Sequence, residues 1–107
     1  MSGVKKRLRP KAKPLATKLR DNPGAIASHL NDALSTGDLA PVLSAIGGAI
    51  RAQGVTRVSR KCGLERASLY RSFRGKISPS FQTVMTVLVA LEVRVVAKPV
   101  KERNRKK

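Results

Sequence analysis

The chain has 107 residues, of which 23 are Lys or Arg and only 6 are Asp or Glu, giving a formal net charge of +17. That length holds one small domain with tails, and with two Phe, one Tyr and no Trp the core has to be built from Leu, Val, Ile and Ala. Polyanions are the expected partners, nucleic acid ahead of an anionic membrane surface. No run of about 18 apolar residues could cross a bilayer, no signal peptide is visible, and one cysteine forms no internal disulfide, so a cytoplasmic location is expected, on the nucleoid when DNA is bound.

Residues 1–20 read as a basic arm. Lys5, Lys6, Arg7, Arg9, Lys11, Lys13, Lys18 and Arg20 give eight positive charges against no acid. Pro10 and Pro14 interrupt any helix and the apolar residues show no period, so the arm is expected to be disordered by itself and to touch phosphates. The helix-turn-helix domain, residues 21–97, opens at Asp21-Asn22-Pro23, where Asn22 as N-cap and Pro23 at the first helical position form a start signal. Ile26, Leu30, Ala33 and Leu34 then recur on one face, and the helix stops near Gly37. Asp38 is expected to cap a second helix, with Leu39, Val42, Leu43, Ile46, Ala49 and Ile50 on its apolar side. The Gly47-Gly48 pair within it costs about 1 kcal/mol per glycine relative to alanine. No Lys-Ser or Lys-Thr follows and no strand precedes, so close approach of a neighbouring helix explains the pair better than a phosphate loop.

From Val55 to Gly75 the chain reads VTRVSRKCGLERASLYRSFRG, two short helices around a tight turn, the arrangement of a DNA-binding helix-turn-helix. Thr56 is placed to cap the first helix, and Val58 and Ser59 supply an apolar and a small residue on its inner face. Gly63 stands where the turn calls for positive φ. Leu64 and Leu69 turn back to the core, Glu65 starts the second helix, and Leu69 with Phe73 marks its buried side. Between Val55 and Lys76 stand seven basic residues and one acid. Arg66 and Arg71 project from the groove-facing side, where an arginine fork pairs with guanine O6 and N7. Ala67 lies between them, small enough to admit a thymine methyl. Ser68, Arg74 and Lys76 suit phosphates, and Arg57 and Arg60 on the first helix complete the expected DNA-binding set.

Chemistry beyond binding finds little support. His29 is the only histidine and has no cysteine near it, so it reads as a surface or boundary residue; Cys62 reads as a small buried hydrophobe. No paired carboxylates, metal cluster or nucleophile-base set occurs, so no enzyme, metal or cofactor is expected. Ser78-Pro79 gives another cap-plus-proline start, and Phe81, Val84, Met85, Leu88 and Leu91 line one side of the helix that follows. Val87 and Val89 make that helix apolar over more than one stripe, as a central helix or one that meets a partner would be. Glu92 to Ala97 favours a short β-strand stopped by Pro99. A lone strand needs a partner, a second copy or another protein's sheet edge, and a symmetric dimer is the expected closure. Lys98 to Lys107 form a second basic tail, six positive charges against Glu102.

Five helices with the helix-turn-helix third and fourth resemble the lambda-repressor-like fold, all-α with a short C-terminal strand and basic disordered tails. The run from Asn22 to Pro99 resembles, more narrowly, the addiction-module antidote family, antitoxins related to the HigA type. The segments that carry the likeness are IASHLNDALSTGD from Ile26, LSAIGGAIRAQG from Leu43, CGLERASLYRSF from Cys62 and SPSFQTVMTVLVALEV from Ser78. The resemblance implies a protein that neutralises a RelE/HigB-like toxin encoded beside it and represses its own operon as a DNA-bound dimer. Two positions depart from the pattern: Glu92 stands where such proteins carry Gly, and Ser59 where Ala is usual. Toxins of this class are basic, so a chain at +17 needs a locally acidic or apolar surface to meet one. Asp21, Asp32 and Asp38 around the first helix offer it. A stand-alone helix-turn-helix regulator without a toxin is the alternative reading, and a basic nucleic-acid packaging protein a third.

Overall fold

The computed structural model describes residues 14–74 and 77–100, which carry six helices and no strand. They are α1 (Leu15–Leu19), α2 (Pro23–Leu34), α3 (Leu39–Gln53), α4 (Val55–Cys62), α5 (Arg66–Ser72) and α6 (Phe81–Ala90). The all-helical expectation holds. Three details differ from what the sequence suggests.

The first is α1. Residues 15–19 fall inside the stretch expected to be a disordered arm, yet they form a helical turn with Leu19 only 1% exposed. Pro14 sits at the N-terminal boundary of α1, a place where its missing N–H costs nothing. A five-residue helix with a single buried side chain has no period to read. Leu19 docks on the core formed with α2 and α3.

The second concerns the centre of the fold. Among the described helices α3 packs against α1, α2, α4 and α5 and buries Leu43, Ala45, Ile46, Gly47, Ala49, Ile50 and Ala52. It is the central helix, a role the sequence suggests for α6. α6 buries Val87, Leu88 and Ala90 against α4 but leaves Phe81 and Val89 exposed. Its start also moves. Ser80 is the N-cap in place of Ser78, its Oγ accepting from the Thr83 N–H at 3.1 Å.

The third is the C-terminal segment. Val93–Val96 is not a strand, and residues 93–99 have no regular secondary structure. The cause lies at Glu92, which has φ +64°. Its N–H bonds to the Val89 carbonyl and the Val93 N–H reaches back to that of Leu88, both near 3.0 Å. This pair of bonds is the left-handed helix ending in which glycine usually stands. It folds Val93 onto the core, 8% exposed, instead of releasing an extended edge.

Elsewhere local chemistry matches local structure. Asn22 Oδ1 accepts from the Ala25 N–H at 3.1 Å and Pro23 opens α2. Asp38 precedes α3 without a side-chain capping bond. The turn before it is held by Thr36, whose Oγ1 donates to the Ala33 carbonyl and accepts from the Asp38 N–H. Asp21, between α1 and α2, has φ +52°, and its N–H donates to Gln53 Oε1 at the end of α3.

Candidate nucleic-acid interface

The two-helix unit α4–α5 is shaped by a few side chains. α4 starts at Val55 after Gly54, so Thr56 lies within its first turn and is not the cap. Gly63 ends α4 at φ +77°, a conformation that costs an L-residue roughly 1–2 kcal/mol. Ser59 Oγ donates to the Leu64 carbonyl across the turn, a bond that an alanine could not make. Val58, Leu69 and Phe73 are buried, and Leu64 packs half-buried on the same core. α5 is seated on α3 by contact with glycine: a Cβ on Gly47 would stand 2.7 Å from the Phe73 carbonyl oxygen. Backbone meets backbone there, so no side chain has room between them.

That packing leaves one face of the unit outward and cationic. Arg60, Arg66, Ala67, Arg71 and Arg74 are exposed and Ser68 is half-buried. Among the described residues none of these four arginines has an acid within 4.0 Å. Arg66 Nη1 donates to Thr56 Oγ1 at 3.3 Å, which holds the guanidinium at the start of α5 over the start of α4. Arg57 is otherwise engaged. Its Nη2 lies 2.8 Å from Asp21 Oδ1, tying α4 to the α1–α2 link. Lys61 pairs with Glu92 at 3.2 Å. Both pairs are exposed, so each is worth about 0–1 kcal/mol, and only the Arg57 pair engages a residue of the expected DNA-binding set. Lys76 lies outside the described residues.

Three residues of this face are absent from the sequence-based set. Thr56 positions Arg66. Tyr70, 47% exposed, stands one turn beyond Arg66 on α5, a spacing that could have marked it. Arg51, in the last turn of α3, shares a polar concavity with Ser44, Phe73 and Arg74; it precedes the two-helix unit in sequence, so motif spacing alone does not reach it. Cys62 is half-buried at the end of α4 and His29 half-buried on α2. Among the described residues no helix is long and apolar enough to cross a membrane.

Helices, turn and charge together define a small basic protein whose described residues are helical and carry an exposed cationic two-helix face. The chain belongs to the family described as probable addiction module antidote proteins, whose model matches residues 5–99. It is also 35% identical over 68 residues to an uncharacterized protein of Haemophilus influenzae, a span covering 64% of this chain and 70% of that one. No solved structure matches it. An antidote family is not an enzyme family, and an antidote implies a toxin as partner in general.

Proposed function

We propose that this chain is the antitoxin of a type II toxin–antitoxin module. It binds and neutralises a RelE/HigB-like toxin encoded beside it, as HigA-type antitoxins do, and as a homodimer it binds operator DNA and represses its own operon. The observation that carries the DNA half is the exposed arginine cluster of α4–α5, seated by the close approach of Gly47 to Phe73. Membership of the antidote family carries the toxin half.

In this reading α4–α5 is a helix-turn-helix of lambda-repressor-like type with α5 in the major groove. Arg66 and Arg71 read guanine and Ala67 approaches a thymine methyl. Ser68, Arg74 and Lys76 contact phosphates and set register, while Arg60 approaches the backbone from α4. Arg57 reaches DNA only by leaving Asp21. Two copies place their α5 helices about one DNA turn apart, roughly 34 Å. Residues 1–13 and 101–107 add sequence-independent phosphate contacts.

The test is paired. The chain should shift a duplex taken from upstream of its own reading frame more readily than a scrambled duplex of equal composition. Co-expression with the adjacent gene product should relieve that product's growth arrest and yield a complex that co-purifies. A non-toxic neighbour with the gel shift retained would leave a stand-alone regulator. Equal shifts on both duplexes would leave a charge-driven packaging protein.

A further inference from the structure

The charges of this chain are segregated. From Asp21 to Ile50 it carries three acids and no Lys or Arg, and from Ile77 to Leu91 it carries no charge at all. These two stretches contain α2, most of α3 and all of α6, and they meet in an open apolar groove of ≈ 480 Å³. Leu34, Leu39, Val42, Phe81, Val84 and Val95 are among the side chains along it, and among the described residues Asp38 is its single charged lining residue. Phe81 is 77% exposed and Leu39 55%, so large apolar side chains face solvent at the first residue of α6 and of α3. The groove flanks the N-terminal part of α3, whereas Gly47 and Arg51 toward its C-terminus meet α5 and Arg74.

We propose that this groove is the seat of the toxin, taking an apolar segment of it that is flanked by basic side chains; this rests on the antitoxin reading. Charge decides among occupants. DNA is repelled by Asp38 and gains nothing from an apolar lining. In a two-fold pair of grooves the same patch faces itself, which sets Asp38 against a lining that holds no cation among the described residues. A basic protein with an exposed apolar segment meets Asp38 with opposite charge. It is also an approach to a chain at +17 that avoids the cationic helices. Because α5 stays uncovered, toxin and operator are bound together.

The full chain is tested against the co-expressed product of the adjacent gene, with Leu39→Ala and Phe81→Ala combined, Asp38→Asn, and Val89→Ala as control. Val89 is exposed on α6 but outside the groove. The double variant should lose toxin affinity by about thirty-fold or more, the loss that removing central apolar anchors brings. Its circular dichroism melt and DNA affinity should match the wild type. Asp38→Asn should slow association at low salt more than at high salt, and Val89→Ala should bind as the wild type does. Unchanged toxin affinity in the double variant overturns the seat and leaves the antitoxin reading standing. A wild-type chain that does not bind the neighbour's product overturns both. If the double variant sediments as a smaller species than the wild type and still binds toxin, a second copy occupies the groove and the proposal fails.

Discussion

The adjacent glycines of α3 allow the seat of α5 to be measured by two substitutions of identical chemistry. Gly47→Ala puts a methyl 2.7 Å from the Phe73 carbonyl oxygen, whereas at Gly48 the nearest atom is Arg51 Nη2 at 3.9 Å, the end of a flexible side chain. The Gly47 contact is roughly 0.7 Å too short for ordinary van der Waals approach, and a backbone oxygen cannot swing aside, so α5 has to move off α3. Both substitutions gain the same helix propensity, about 1 kcal/mol, which cancels in their difference. What is left is the overpacking cost, about 1–3 kcal/mol. Gly48→Ala should therefore stabilise the protein outright. Gly47→Ala should melt below Gly48→Ala by about 4 °C or more, since 1 kcal/mol moves the midpoint of a small domain by about 4–8 °C. Thermal and urea unfolding give the comparison, and a gel shift on each variant reports whether displacing α5 weakens DNA binding as it should. Equal stability of the two variants, or a more stable Gly47→Ala, would refute the claim that glycine is needed for the seat of α5.

Glu92→Gly should raise stability by several tenths to about 1 kcal/mol, because relief of left-handed strain of about 1–2 kcal/mol outweighs an exposed Lys61 pair worth about 0–1; Glu92→Ala should not, as it keeps the strain and loses the pair. Urea midpoints rank the three. Ser59→Ala should lose the bond to the Leu64 carbonyl, about 1 kcal/mol, offset in part by alanine's helix propensity, and amide exchange at the turn should quicken. Deleting residues 1–13 should flatten the salt dependence of DNA binding by about 0.9 log units for each phosphate the arm no longer neutralises. Deletion through residue 20 should lower the melt as well, because it removes the buried Leu19.

The elements legible in the sequence are those whose signal is local. Asn22-Pro23 marks the start of α2, and Gly63 marks the turn with the φ its position demands. The Gly47-Gly48 pair announces a close approach, although only Gly47 makes it. Elements governed by one distant contact are not legible. α1 exists because Leu19 finds a core built 7 to 74 residues further along the chain, and nothing in residues 15–19 foretells that. The β-favouring run after Glu92 has the composition of a strand but no partner within the described residues, and a glutamate in a glycine conformation turns it onto the core. At the candidate interface, spacing locates the exposed arginines. It does not show that Arg57 is held by Asp21 or that Thr56 holds Arg66, since each depends on how α4 sits beside its neighbours.

The central claim is that α5 reads sequence, and selection from a randomised duplex pool tests it most directly. It is run with the wild type, Arg66→Ala, Arg71→Ala and Arg74→Ala. The wild type should enrich a motif with guanines in each half-site. Arg66→Ala and Arg71→Ala should each relax one base position, a loss of about 1–3 kcal/mol of discrimination there, with non-specific affinity nearly intact. Arg74→Ala should keep the motif and weaken every sequence alike. A wild-type selection that returns no motif, or Arg66 and Arg71 variants that return the wild-type motif unchanged, would contradict the account and reduce these arginines to a generic cationic surface.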